Sequence, residues 1–314
     1  MRTMGMVAAG VLLAGALAGA MEFEDWSQAV SLESVPGTDS ALNTVSQDGC
    51  PAPSKDGLTL YMASNRPGGQ GGLDIWAAYR ESADDPFGAP VNLGSPINTT
   101  ADEFCPTPLT DRHTLLFVST KAGGCGGGDI YVARHHVKRG WDEPEHLDCT
   151  VNSAAEEASP FFVADENGGA LYFSSTRAGG FTAEAPGVLA GDADIYASPV
   201  SAEGVIAAPA LVPWVNTSVN DFRPSVRRDA LEMFFDSNRA GGSGGLDIWS
   251  ATRLTTSDPW STPINLGPNV NSLANETRPY LSWGGTTLYF GTTRPGVEGA
   301  GDIFFSTRTK VTGQ

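Results

Sequence analysis

Five carboxylates recur in one setting. Asp48, Glu103, Glu157, Asp221 and Glu276 each lie five residues after an asparagine (Asn43, Asn98, Asn152, Asn216, Asn271) and three before a proline. A base follows each acid: Arg66, Lys121, Arg177, Arg239 and Arg294, at an offset of 18 in four cases and 20 in the third. Carboxylates gathered in a pocket can act as general acid, general base or nucleophile. Matched one to one with bases, they instead form ion pairs that lock structure. Pairing therefore discriminates. An acid left unpaired in a pocket with aromatic walls favours chemistry, and a fully paired ring favours architecture.

A second phrase, Asp-Ile-aromatic, begins at Asp74, Asp129, Asp194, Asp247 and Asp302, with spacings of 55, 65, 53 and 55. Apolar runs precede it at Leu58–Ala63, Leu115–Val118, Leu171–Phe173, Met233–Phe235 and Leu288–Phe290. Offsets this regular define five equivalent units. Each reads as four strands: one near the proline, one at the apolar run, one at Asp-Ile-aromatic, and one with an aromatic and a proline (Phe87–Asn92, Trp141–Leu147, Trp260–Leu266). An apolar run buried on both faces suits a sheet packed between two others. The expected fold is all-β, a five-bladed β-propeller with four-stranded blades. The fifth unit stops after its third strand, near Arg308, and Trp26–Leu32 supplies the missing one, so the N-terminal strand closes the ring. The repeats fall near 45–98, 99–152, 153–216, 217–271 and 272–308, with the closing strand in 23–44, in one domain spanning 21–314.

The segment 1–20 reads as a signal peptide. Arg2 precedes the apolar run Val7–Leu17, and Ala18-Gly19-Ala20 is a small-residue cleavage site. An exported, periplasmic or secreted protein is expected, without a membrane span. The formal charge of −17 leaves no basic surface for nucleic acid. A monomer is expected.

Four cysteines in an exported chain point to disulfides, and four allow three pairings. Cys50 and Cys105 hold equivalent positions in adjacent units, so Cys50–Cys105 and Cys125–Cys149 are the expected bonds. Zinc is the alternative, but His113, His135, His136 and His146 lie outside those loops. The glycine-rich stretches 68–74 and 241–247 are similar to calcium-binding Gly-Gly-x-Gly-x-Asp repeats. Copies so far apart in sequence suit tight hairpins better, so no metal or cofactor is expected, with calcium as the alternative. Ser243 lies in a Gly-x-Ser-x-Gly match without the strand-to-helix elbow a nucleophile needs. The third unit carries an extension, Phe181–Ala193, on the acid-bearing face.

Taken together, the Leu-Tyr-Phe-like runs, Ser-x-Arg, Gly-Gly-x-Gly-Gly-x-Asp-Ile-aromatic and Pro-x-x-x-Asp-Gly resemble the WD-like propeller repeat family of TolB type, over about 23–308. The resemblance implies a scaffold binding proteins or envelope components without catalysis. The first functional expectation is thus a non-catalytic binding module whose funnel face meets a protein, peptide or glycan. Its contacts would be the five acids, the five bases, and Arg223 and Arg278 as exposed arginines one residue before their prolines. The alternative, by fold analogy, is a glycoside hydrolase using Asp48, Glu103 and Glu157.

Overall fold

The computed structural model describes residues 23–181 and 192–311. The signal segment and the middle of the third-unit extension lie outside the described residues.

Five antiparallel four-stranded sheets form the five blades of a β-propeller. Blade 1 comprises Asp48–Pro53, Thr59–Ser64, Asp74–Tyr79 and Val91–Asn92, from the axis outward. Blade 2 comprises Glu103–Pro108, Thr114–Ser119, Asp129–His136 and Glu145–His146, with Gly140–Trp141 paired beside the third strand. Blade 3 comprises Glu157–Asp165, Gly168–Ser175, Asp194–Ser201 and Ala210–Leu211, and blade 4 Asp221–Val226, Glu232–Ser237, Asp247–Thr252 and Ile264–Asn265. In blade 5, Glu276–Leu281, Thr287–Thr292 and Asp302–Thr307 are completed by Val30–Ser31, which pairs antiparallel with Phe304–Phe305. The ring closes through the N-terminal segment, as expected. Closure protects sheet edges that would otherwise be open to pairing with another chain.

The second strands form the core between blades. Thr114–Ser119 and Glu232–Ser237 are buried at every position, and Phe117, Phe173, Phe234, Phe235 and Phe290 are fully buried. The isoleucine of each Asp-Ile-aromatic phrase is also 0% exposed.

The recurrent asparagine is the joint between blades. Asn98 Oδ1 accepts from the Ile75 N–H at 2.8 Å, and its Nδ2 donates to the Ile75 carbonyl at 2.9 Å. Asn152 binds Ile130 in the same way, Asn216 binds Ile195, and Asn271 binds Ile248. Asn43 binds Ile303 and so ties the first turn to the last blade. Each asparagine pins the third strand of one blade five residues before the next blade begins. Asn98→Ala is expected to strand the N–H of buried Ile75, whose carbonyl keeps the Leu93 N–H, and to cost ~1–3 kcal/mol, measured by equilibrium denaturation.

Candidate functional site

The recurring acids begin the inner strands, on the face where second strands end and third strands begin. All five are 0–1% exposed. Asp48 accepts the Thr44 N–H and hydroxyl at 2.6 and 2.7 Å, and Arg66 at 2.5 Å. Glu157 accepts the Ser153 N–H and hydroxyl, the Ser175 hydroxyl, and Arg177 at 3.0 Å. Glu276 repeats this with Ser272, Thr292 and Arg294, and Asp221 with Thr217 and Arg239. Each arginine also donates to the carbonyl just before the joint asparagine: Leu42, Val151, Val215 and Val270. The clasp thus holds the inner strand, the second strand and the incoming loop together.

Blade 2 differs. Glu103 accepts from Thr99 and Ser119, while Lys121 lies 4.1 Å over the Tyr131 ring and forms no ion pair with it. A guanidinium can serve an acid and a carbonyl at once through its fork, and an ammonium lacks that geometry. Asp48, Glu103 and Glu157 are the carboxylates that the hydrolase alternative would use. Their oxygens are engaged by N–H, hydroxyl or guanidinium donors within the fold, and the side chains are buried.

Two residues beyond each acid the inner strand turns left-handed. Cys50, Cys105, Ser159, Arg223 and Arg278 have φ between 47° and 57° and sit where the strand register shifts. The proline that follows has no N–H to lose at such a bulge. Non-glycine residues rarely adopt this backbone, and such strain concentrates at functional sites. All five line a narrow cavity on the axis. The repeat fixes their backbone and leaves their chemistry free: a disulfide, a serine and two arginines.

Arg223 donates to Asp236 at 2.5 Å, and the Arg278 N–H donates to the other oxygen of Asp236 at 2.9 Å. Neither arginine is the exposed group expected from sequence. The Arg223 side chain is 18% exposed, and burial, then the neighbouring Arg223, pulls Arg278 down to about 9.

The axial cavity opens into a pocket of about 300 Å³ on the acid-bearing face. Its walls include Phe104, Phe222, Thr120, Thr176, Arg223 and Arg278. Two further carboxylates line it, Asp102 from blade 2 and Glu156 from blade 3. Asp102 is half-buried and accepts the Leu73 N–H at 2.7 Å, whereas Glu156 is exposed. Among the described residues neither forms an ion pair. Sequence reasoning missed both, although the signal was present. Only in units 2 and 3 is the clasp acid directly preceded by another acid; elsewhere Gln47, Asn220 and Asn275 hold that place.

A larger cleft, about 960 Å³, lies on the opposite face between blade 4 and the N-terminal segment. Its buried carboxylate, Glu232, is taken by Arg227 and Arg308. The pocket near the axis is the one where several blades converge with unpaired acids and aromatic walls, the arrangement of a binding site.

The disulfides are Cys50–Cys105 and Cys125–Cys149, the expected pairing. Cys125, Asp129 and His146 bring potential ligand atoms within 4.8 Å of one another, but the sulfur of Cys125 is bonded to Cys149. In the glycine-rich loops, Asp74 accepts the N–H groups of Gln70 and Gly71, and Asp247 those of Ser243 and Gly244. These carboxylates brace hairpins. A Cβ on Gly71 would fall 1.8 Å from the Ala101 carbonyl of the next blade, so that position demands glycine.

Asp74 and Asp247 also receive the side chains of Asn92 and Asn265 at 2.9 Å from the fourth strands. In blade 3, Leu211 occupies that register. Asp194 lacks that amide donor, and among the described residues its Oδ1, like those of Asp129 and Asp302, is buried without a partner. Burial, with Asp221 and Asp192 nearby and only the Phe181 N–H opposing, pushes Asp194 up to about 7.

No protein-family model matches this sequence, and no curated protein matches it. Solved structures do match. The catalytic domain of the Coprinopsis cinerea GH62 α-L-arabinofuranosidase aligns over 92% of this chain and 98% of that one, with TM-score 0.56 and 12% identity. The endo-arabinase from Bacteroides thetaiotaomicron aligns over 88% and 98%, with TM-score 0.52 and 16% identity. TolB from Acinetobacter baumannii aligns over 84% and 55%, with TM-score 0.49 and 14% identity, too distant to carry an argument. At these identities the likeness establishes the fold. The five-bladed propeller stands, whereas no family match supports the WD-like repeat assignment. The expectation of a non-catalytic scaffold is overturned: the structures sharing this fold are mostly arabinofuranosidases, arabinases and xylosidases.

Two outcomes check the site's electrostatics. Asp221→Asn leaves Arg239 buried without its partner and should destabilise the fold by ~3–5 kcal/mol, measured by urea denaturation. Asp194 behaves oppositely. A carboxyl raised from 3.8 to about 7 keeps its proton in the fold where the unfolded chain has lost it, so stability falls as pH rises through that window. Asp194→Asn should therefore raise the melting temperature at pH 8 by about 2–3 °C, for ~1–2 kcal/mol after allowance for solvent, and change little at pH 4.

Proposed function

We propose that the protein is a glycoside hydrolase acting on a polysaccharide at the pocket near the propeller axis. One observation carries the reading: Asp102 and Glu156, from adjacent blades, line one aromatic-walled pocket with neither held in an ion pair. Hydrolysis of a glycosidic bond needs two carboxyl groups flanking the anomeric carbon. The Leu73 N–H orients Asp102 to act on the anomeric carbon or on the water that attacks it. Glu156, exposed and without a fixed donor on its carboxylate, delivers the proton to the leaving oxygen. Phe104 and Phe222 offer apolar faces to a sugar ring. The arabinofuranosidase, arabinase and xylosidase names carried by structures of this fold support the choice of substrate class.

The two disulfides suit an oxidising compartment. With a signal segment ending near Ala20, they support a protein exported to meet glycan outside the cytoplasm.

The test is a hydrolysis screen on arabinan, xylan and pectic polysaccharides. Glu156→Gln and Asp102→Asn should each lower kcat at least 100-fold, the scale of acid–base assistance, with melting temperature unchanged. Turnover that survives both substitutions would refute the assignment. Product anomer analysis by NMR would then separate retention from inversion.

A further inference from the structure

The Arg278 guanidinium lacks a partner. Among the described residues it donates no hydrogen bond, and its Nε is buried and unsatisfied. Asp236 is the carboxylate between the two arginines, and it is bonded to Arg223 through the side chain and to Arg278 through the backbone N–H. Ser159, the axial residue of blade 3, also has a buried hydroxyl without a partner. Arg223 and Arg278 line both the axial cavity and the pocket above it, so they sit where the two meet. Arg278 is half-buried beside a second arginine, and a guanidinium so placed without an acceptor is costly unless a ligand completes it.

We propose that the floor of this pocket binds a carboxylate carried by the substrate, so that the glycan recognised contains uronic acid residues. The inference deepens the hydrolase reading and rests on it for the location of the sugar. A planar carboxylate suits the guanidinium fork of Arg278, with Arg223 and the Ser159 hydroxyl as further donors. Opposing charges are present. Asp236 offsets one arginine, Glu157 is neutralised by Arg177, and Asp102 and Glu156 lie nearer the mouth. A uronate held with its carboxylate at the floor would thus present its ring toward the two acids at the mouth. The chain's charge of −17 opposes approach of polyanions, but that long-range term is screened at physiological salt and a buried pair is not.

Isothermal titration on the full-length protein carrying Glu156→Gln, which prevents turnover, compares four probes. They are galacturonic and glucuronic oligosaccharides, the methyl ester of each, neutral xylo- and arabino-oligosaccharides, and inorganic phosphate. At least one uronic oligosaccharide should bind at least tenfold more tightly than its own methyl ester and than the neutral sugars. Arg278→Met, added to that variant, should abolish the difference while leaving the melting temperature unchanged or higher. The ester comparison needs no further substitution and decides the matter should the methionine variant not fold. Equal binding of acid and ester, absence of binding by every uronic sugar, or phosphate binding as tightly as the uronic sugar would overturn the inference. Acid-selective binding without hydrolysis by the wild type would refute the hydrolase reading alone. Hydrolysis of neutral glycans without acid selectivity would refute the carboxylate site alone.

Discussion

The clasp around each buried acid is the constraint on which the rest depends. One carboxylate, at the first residue of an inner strand, gathers donors from the incoming loop, in three blades from the end of the second strand and in four from an arginine. Removing such a charge from water costs several kcal/mol unless its oxygens are satisfied. Here N–H, hydroxyl and guanidinium donors satisfy them together, and the same arginine binds the carbonyl before the joint asparagine. The asparagine then secures the previous blade. Five copies of this linkage make a ring in which each blade is defined by its neighbour. Blade 2 shows the tolerance of the arrangement, since hydroxyl and N–H donors hold Glu103 without a cation.

With the ring secured by repeated groups, the variable positions are available for chemistry. Three sets of them meet at the axis. The left-handed residues present a disulfide, a serine and two arginines to one cavity. The residue before each clasp acid is polar in every unit but acidic in two, and those two are neighbours. The residue after it is Phe104 in blade 2 and Phe222 in blade 4, both in the pocket wall. A symmetric scaffold thereby yields an asymmetric site, with cations at the floor and acids toward the mouth.

The structural partition also explains why the abundant acids misled. Repetition makes Asp48, Glu103, Glu157, Asp221 and Glu276 conspicuous, yet repetition is the mark of a part that every blade needs. A reacting pair is needed once. Asp194 offers the same lesson in reverse. It belongs to the repeated hairpin brace, and with Leu211 at the register of Asn92 and Asn265 it lacks the amide that braces Asp74 and Asp247.

The sequence by itself determined the number of blades, their strand order, the closure by the N-terminal strand and the charged clasp partners in four blades, because fixed offsets force equivalent residues into equivalent places. Of the three pairings that four cysteines allow, it favoured the one the structure shows, since Cys50 and Cys105 occupy the same place in adjacent units. Tertiary structure alone decided which acids reach solvent. Burial of the clasp acids depends on donors drawn from three chain segments, and offsets along the chain carry no measure of that enclosure. Nor do they show that Arg223 and Arg278, 55 residues apart, share one aspartate at the axis. That meeting comes from the curvature of the ring, which brings the same bulge of successive blades to a single point.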